Sequence, residues 1–450
     1  MSKFFLIIVI AGLAALASAQ QTDVLAKTLV RDFTTADLSA KARAAWEQRD
    51  RSFAGAREQL LSQMVSEELL DLEAKSTGKT TAKLIDEIKG RIADPSDADI
   101  KSTYDSNLQA LENKPLSDVR TAIVRFLRHD PEERSIKAFV DELALKYKVS
   151  YQTDINTPGL KPTDVLFTVN GRGVTAQEFD QKYRLALYDV KADLIDNVTG
   201  ELTEAIFNAL VEKEAAVLKL DQQTYIAREI TDKLKQFTDE ERFQVTTGLK
   251  DRLFAKYKVK FLIAPPPPIV QKISVDDDPA RGPAAAPVTV VMFGDFQCSA
   301  CSRTHPVLQK VLAEFPGKVR FVARDFPLES IHENAFRAAL AAGAANAQGK
   351  FFEYGELLYK NQEALDDASL KKYAAQVGLN VRQFELDFAS EKTSAEVRKD
   401  LADGILYGIT GTPTIFVNGI MVRKLNADDF RAAIRTALKS AAVPTRAARR

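Results

Sequence analysis

The first 264 residues carry apolar side chains at the spacing of an α-helix. One block with this spacing consists of Leu61, Met64, Val65, Leu69 and Leu72, and Gly78 follows it as a stop signal. A second block with the same spacing consists of Ile206, Phe207, Leu210, Val211, Val217 and Leu218. The pattern therefore predicts that the first part of the chain is mostly helical.

The carboxy-terminal part alternates strand signals with helix signals. Residues 288–293 form a β-rich apolar run, and residues 302–315 have apolar positions at helical spacing. Residues 415–422 are typical of two strands joined by an Asn418-Gly419 turn. The predicted fold class is α+β multidomain, with mostly helical modules followed by an α/β domain that carries a helical insertion.

The helical part looks like two copies of one unit. Residues 145–149 (LKYKV) recur as residues 255–259 (AKYKV), and Thr35-Ala36 before the first block corresponds to Thr175-Ala176 before the second. The starts of the copies are further apart than their ends, so the first copy holds an insertion. The insertion is predicted to include residues 94–100, with Ser96 as a helix cap.

Both ends of the chain and one internal segment suggest boundaries. Lys3, an apolar run over residues 4–16 and the small residues 17–19 predict a cleavable secretory signal, because the run is too short to span a membrane. Residues 264–268 (APPPP) predict a stiff spacer. The expected domains are a signal peptide (1–19), two helical modules (20–160 and 161–264), a linker with a first strand (265–287), the α/β domain (288–440) and a disordered basic tail (441–450).

Composition adds little that is specific. The chain is 45% hydrophobic and 28% charged, and its 62 basic side chains balance 62 acidic ones. This balance gives no electrostatic reason to expect nucleic acid or an anionic membrane as a partner. We also find no motif for a cofactor or a metal.

The two cysteines of the chain, Cys298 and Cys301, stand three residues apart between the predicted strand and the predicted helix. Cys298 is expected in the first turn of that helix, where unpaired N–H groups and the helix dipole stabilise a thiolate. Cys301 is expected one turn further along the same face, close enough to close a disulfide. The pair can therefore cycle between dithiol and disulfide.

Three other uses of the pair are weaker. A structural disulfide that closes so short a loop removes little chain entropy. A zinc site needs about four ligands, and the chain offers no second cysteine pair and three histidines, His129, His305 and His332. Haem attachment needs a histidine directly after the second cysteine, where Ser302 stands. A redox role is favoured.

Residues 282–301 (GPAAAPVTVVMFGDFQCSAC) resemble the entry to a DsbA-like thioredoxin domain of bacterial envelopes, and residues 411–414 (GTPT) resemble its cis-proline loop. The resemblance covers about residues 269–440. It implies a protein thiol-disulfide oxidoreductase in which Cys298 attacks and Cys301 resolves the mixed disulfide. It also implies that Thr412 and Pro413 contact the bound client.

Two features of the active-site sequence bear on the chemistry of the cysteine pair: one departure from the family, and the two residues between the cysteines. Met292 stands where the family usually carries a buried acid that exchanges protons with the second thiol. Its presence predicts that proton transfer to Cys301 goes through water or another group. Ser299 and Ala300 are the expected redox-tuning residues, and they offer a hydroxyl and backbone N–H groups but no histidine.

Residues 169–179 (VNGRGVTAQEF) and the long helices around them resemble the amino-terminal helical domain of SurA-type periplasmic chaperones. The resemblance implies a cradle for unfolded export clients. The alternative is that these helices form a spacer or a dimerisation arm, because amphipathic helices by themselves specify a core and not a client.

Together these patterns predict a periplasmic oxidoreductase coupled to chaperone-like client binding. Its expected partners are unfolded or cysteine-containing exported proteins and a membrane or soluble redox partner that recycles the cysteine pair, with a homodimer through the helical modules as a further option. The competing hypothesis is a non-enzymatic chaperone or dimeric scaffold whose thioredoxin-like domain only binds clients. The motif does not distinguish oxidase, isomerase and reductase, which differ in reduction potential.

Overall fold

The computed structural model describes residues 23–111, 113–275 and 277–442. The expected signal peptide and residues 443–450 of the expected basic tail lie outside this range. The last described helix runs to Ala442, so the first two residues of the segment expected to be a disordered tail are helical.

The amino-terminal part consists of long helices and short strands, so it is mostly helical, as predicted. In chain order its elements are β1 (Val24–Lys27), β2 (Asp32–Thr34), α1 (Ala40–Glu47), α2 (Arg49–Thr77), α3 (Thr81–Lys89), α4 (Asp97–Ser106), α5 (Leu116–Lys146), β3 (Ser150–Tyr151), β4 (Val165–Val169), β5 (Arg172–Thr175), α6 (Ala176–Val217), α7 (Gln222–Glu229), α8 (Asp239–Lys256) and β6 (Lys260–Phe261). Gly78, with φ 67°, ends α2, and the Ser96 hydroxyl caps α4, as predicted.

The two copies of the repeat exchange their strands. The β1–β2 hairpin of the first copy pairs with β6 of the second copy, and the β4–β5 hairpin of the second copy pairs with β3 of the first. The compact units are accordingly residues 23–51 with 191–266, and residues 52–190 with 267–442. The module boundary expected at residues 160 and 161 is therefore wrong, because local periodicity does not reveal which copy completes a sheet.

Equivalent side-chain contacts show which residues of the two repeat copies correspond to each other. In both copies the Lys-Tyr pair donates hydrogen bonds to a buried glutamate near the end of a long helix: Lys146 and Tyr147 to Glu73, and Lys256 and Tyr257 to Glu214. Capping boxes begin both helical blocks, Thr34 with Asp37 in the first copy and Thr175 with Glu178 in the second. Thr175 thus corresponds to Thr34 rather than to Thr35.

The carboxy-terminal part alternates strands and helices, and with the helical modules it confirms the predicted fold class. Its elements are β7 (Ala280–Arg281), β8 (Val288–Gly294), α9 (Ser299–Leu312), β9 (Val319–Asp325), α10 (Ala335–Asn346), α11 (Phe351–Lys360), α12 (Asp367–Gln376), α13 (Val381–Phe388), α14 (Glu391–Leu406), β10 (Thr414–Val417), β11 (Ile420–Met421) and α15 (Ala427–Ala442). Helices α10 to α14 form the helical insertion.

One five-stranded sheet organises this part, in the order β11-β10-β8-β9-β7. The central strands β8 and β9 are parallel, and β10 runs antiparallel to β8. Side chains alternate along β8: Val290 and Met292 face α9 and α15, whereas Val291 and Phe293 face the opposite side. The carboxyl end of β8 leads directly to the cysteine pair.

The segment before this sheet does not isolate it from the helical modules. Leu185 of α6 is buried in the same cluster as Val291, Phe293 and Phe416 of the sheet. The Arg184 guanidinium donates to the backbone oxygen of Leu406 over 3.0 Å. The first half of α6 is thus part of the packing of the α/β domain, although residues 264–268 suggested a boundary there.

Candidate active site

Cys298 lies at the start of α9, in the N-cap position. Its backbone N–H donates to the carbonyl of Asp295 over 3.1 Å, and its own carbonyl accepts from the N–H of Ser302 over 3.2 Å. The side chain is only 7% exposed. Cys298 therefore lies between the strand and the helix that the hydrophobic pattern predicts.

The two cysteines are thiols whose surroundings separate their acidities. A hydrogen bond from Cys301 is the largest cause that lowers the pKa of Cys298 from 9.0 to about 5, and the backbone N–H groups of Ala300 and Cys301 contribute. Cys301 has no exposed surface, and this burial raises its pKa well above the ordinary value. One sulfur is a thiolate at neutral pH while the other keeps its proton.

Thr412 and Pro413 lie beside the pair, and the peptide bond between them is cis. The carbonyl of Thr412 lies 3.4 Å from the Sγ of Cys298 and accepts a hydrogen bond from the protonated form of this thiol. The sheet explains this placement, since Thr414 at the start of β10 pairs with Phe293 near the end of β8. The residues just before β10 and just after β8 are consequently neighbours.

A histidine and a carboxylate near the cysteine pair form a hydrogen bond that the sequence did not predict. The Nδ1 of His332 lies 2.7 Å from an oxygen of Asp295, although the two are 37 residues apart in sequence. This hydrogen bond raises the pKa of His332, with burial opposing and the charges of Asp295 and Cys298 adding to the effect. Asp295 also accepts from the backbone N–H groups of Gln297 and Leu328. No local pattern links such distant residues.

Gln362 is a second residue that the sequence did not single out. Its side-chain amide donates to the carbonyls of Phe296 over 2.8 Å and of Cys298 over 2.9 Å. It comes from the connection between α11 and α12, within the helical insertion. The insertion thus holds the backbone that leads into the cysteine pair.

The remaining predicted residues occupy structural positions. Ser299 and Ala300 form the first turn of α9 between the cysteines. Met292 is buried in the core cluster that contains both cysteines, which agrees with a packing role for this side chain. His305 packs its ring against Tyr359 and Phe321, and burial lowers its pKa.

The described part of the chain gives no sign of a metal site or a membrane span. No group of three or more histidine, cysteine, aspartate or glutamate side chains is arranged to hold a metal among the residues described. Within the same residues, every helix is too short or too polar to cross a membrane.

The parallel β8–α9–β9 unit, the cysteine pair at the strand-to-helix junction and the neighbouring cis-proline have the arrangement of a thioredoxin-type fold. Residues 274–436 match a family model described as thioredoxin. This stretch is therefore a thioredoxin-like domain, which confirms the fold expected for the carboxy-terminal part. The likeness of the helical modules to SurA-type chaperones stays a prediction.

Curated relatives match about a third of the chain. The Na(+)/H(+) antiporter NhaA 1 of Mycobacterium sp. (strain KMS) is 36% identical over 172 residues, which make up 37% of this chain and 28% of the antiporter. The Na(+)/H(+) antiporter NhaA of Herminiimonas arsenicoxydans is 35% identical over 158 residues, or 35% of this chain and 25% of that protein. The chain therefore spans about a quarter of the length of these curated relatives.

Solved structures also resemble the chain over about a third of its length. Oxidised BdbD from Bacillus subtilis is 24% identical, with 38% of this chain and 98% of BdbD covered and a TM-score of 0.35. A thioredoxin-like oxidoreductase from Silicibacter pomeroyi is 28% identical, with 36% of this chain and 92% of that chain covered and a TM-score of 0.34.

Proposed function

We propose that this protein is an exported thiol-disulfide oxidoreductase that acts on protein clients. The observation that carries the proposal is the difference in acidity between Cys298, with its pKa lowered to about 5, and the buried Cys301, which stays protonated. A thiolate at neutral pH is the attacking species in disulfide exchange. The thioredoxin-like fold of residues 274–436 suggests the same activity.

In the proposed reaction the Cys298 thiolate attacks one sulfur of a client disulfide and the other client sulfur leaves. Cys301 then attacks Cys298, which releases the client thiol and closes the Cys298–Cys301 disulfide. The reverse sequence oxidises a client. Thr412 and Pro413, which border Cys298, hold an extended client segment, and a separate redox partner resets the pair.

Trapping experiments test this assignment. We expect Cys301→Ser to accumulate mixed disulfides with exported proteins, because Cys298 still attacks while nothing resolves the product. Cys298→Ser is the matched control and should trap none. Equal trapping by both variants, or trapping by Cys298→Ser alone, would overturn the roles. Equilibration of the pair with glutathione buffers gives the direction of the reaction.

A second proposed activity is client holding by the helical modules. A groove of about 750 Å³ lies between α2 and α5, and its apolar lining includes Val65, Leu69, Ile136 and Val140. Leu145 on its edge is 83% exposed. An apolar groove of this kind suits an extended apolar segment of an unfolded chain.

Paired substitutions on α5 test the groove. Leu145→Asp changes the groove edge, whereas Phe126→Asp changes an apolar side chain that is 70% exposed on the same helix but is not among the groove residues. We expect the wild-type chain and Phe126→Asp to suppress aggregation of an unfolded, cysteine-free protein, and Leu145→Asp to suppress it less. If neither substitution affects suppression, or if the wild-type chain only dimerises, the helices are a spacer or a dimerisation arm.

A further inference from the structure

The second thiol, Cys301, needs a group nearby that accepts its proton during the reaction. Cys301 is fully buried and protonated, yet it has to lose its proton before it attacks the mixed disulfide on Cys298. Met292, which packs in the same cluster, has no group that accepts a proton. The acceptor must therefore reach Cys301 from another element of the domain.

A narrow crevice lies next to this cluster, between β8, β9, α9 and α11. Its volume of about 20 Å³ has room for a single water molecule. Its polar lining consists of His305, Arg324, Asp325, Glu356 and Tyr359. Met292 and Phe296 contribute apolar walls. The crevice thus offers a short polar route through an otherwise apolar core.

Tyr359 connects the crevice with the cysteines. Its ring lies 5.0 Å from the Phe296 ring and packs against the cluster that contains Cys301. Its hydroxyl lies above Gly294, where an added Cβ would be only 3.0 Å away. Burial raises the pKa of Tyr359, and the charges of Cys301 and Asp325 both add to this effect, so the phenol stays protonated.

Asp325 lies at the end of β9, where the parallel register pairs it with Gly294. Gly294, Asp325 and Tyr359 line the same crevice. Burial raises the pKa of Asp325 well above its ordinary value, and the neighbouring carboxylates of Asp400, Asp278 and Asp295 raise it further. The side chain is partly exposed in the crevice, so it can ionise, and its raised proton affinity makes the carboxylate a stronger base than a fully exposed one.

The other ionisable side chains that line the crevice, apart from Tyr359, are engaged or unsuited. Arg324 opposes the effect of the carboxylates, but its guanidinium makes ion pairs with Asp278, Asp400 and Asp403. His305 is held neutral by burial, and Glu356 is exposed at the mouth of the crevice. Asp325 is thus the group in the crevice whose carboxylate combines proximity to Tyr359 with a high proton affinity.

We propose that Asp325 accepts the proton of Cys301 through the Tyr359 hydroxyl and a water in the crevice. This inference rests on the proposed function. As the Cys301 sulfur bonds to the Cys298 sulfur, the bond from Cys298 to the client sulfur breaks and the client leaves as a thiolate. The Cys301 proton moves to Tyr359 or the water, which passes a proton to the Asp325 carboxylate. The electron pair thus leaves with the client and the proton stays on Asp325.

The two steps can be followed separately with dithionitrobenzoate. Attack by Cys298 releases the first thionitrobenzoate, and attack by Cys301 on the resulting mixed disulfide releases the second, so absorbance resolves two phases. We expect Asp325→Asn to leave the first phase unchanged and to slow the second about a hundredfold at neutral pH, as is typical for the loss of a general base. The second phase of this variant should also accelerate with rising pH over a range where that of the wild type is level.

Two further variants complete the test. Tyr359→Phe should slow the same phase and leaves the Asp325 carboxylate in place, so it carries the test if Asp325→Asn does not fold. Glu356→Gln lines the same crevice and should leave both phases unchanged. An unchanged second phase and pH profile in both Asp325→Asn and Tyr359→Phe would overturn the inference. A wild-type protein without a first phase would instead overturn the proposed function.

Discussion

Replacement of Cys301 by alanine tests what makes Cys298 acidic. The hydrogen bond from the Cys301 thiol is the largest contribution that lowers the pKa of Cys298 to about 5. Hydrogen bonds to charged groups contribute about 1.5 to 3 kcal/mol, and one pKa unit corresponds to about 1.4 kcal/mol. Because a thiol is a weak donor, we take the lower end of this range and expect a rise of about one unit.

The remaining donors keep the Cys298 pKa in Cys301→Ala below the ordinary value of 9.0, since the backbone N–H groups of residues 300 and 301 do not depend on the second sulfur. The assay is the rate of iodoacetamide alkylation as a function of pH, which follows the thiolate fraction. Cys301→Ser is the matched control, because its hydroxyl restores a donor and should keep the midpoint near that expected for the wild type. A midpoint in Cys301→Ala equal to that of Cys301→Ser would refute the reasoning.

The same shift makes the stability of the reduced protein depend on pH. The pKa of Cys298 falls from 9.0 in the unfolded chain to about 5 on folding, so the unfolded chain binds more protons throughout this window. The stabilisation is complete above pH 9.0 and is lost as the pH falls through about 5. In Cys301→Ala the loss should be complete at a higher pH, because the folded pKa is higher.

Individual contacts give three other predictions, and the dipeptide between the cysteines gives a fourth. Leu185→Ala should lower the free energy of unfolding by about 2 to 5 kcal/mol in denaturant titrations. The control Leu386→Ala, at a side chain that is 62% exposed, should change it by less than about 0.5 kcal/mol. Equal effects of the two substitutions would show that α6 is not part of the domain core. The raised pKa of His332 means that its bond to Asp295 stabilises the fold fully below the ordinary pKa of 6.5 and less as the pH rises through the folded value, so His332→Gln should destabilise at acidic pH and not at alkaline pH. His305→Gln should have the opposite pH dependence, because burial lowers the pKa of that histidine. The Ser299-Ala300 dipeptide predicts a reduction potential between those of thioredoxin and DsbA, roughly −270 to −120 mV in glutathione equilibration, and a value outside these limits would contradict the role given to the dipeptide.

Local patterns determined the parts of this protein whose signals lie within a few residues. The strand, the cysteine pair and the helix start follow one another in sequence, so the position of Cys298 could be derived from hydrophobic periodicity and helix geometry alone. The Gly78 stop and the Ser96 cap are local for the same reason. The Thr412-Pro413 loop was found through the resemblance of residues 411–414 to a family motif, and the pairing of β10 with β8 explains why it lies beside Cys298.

Tertiary structure decided every contact between residues that are distant in sequence. The exchange of strands between the two repeat copies depends on which hairpin edge receives β3 or β6, and near-identical sequences at 145–149 and 255–259 cannot distinguish these pairings. The bond between His332 and Asp295, the packing of Leu185 against the sheet and the approach of the Tyr359 hydroxyl to Gly294 likewise join different elements. Such contacts arise only when packed faces meet, and the spacing of residues along one element carries no information about its partner.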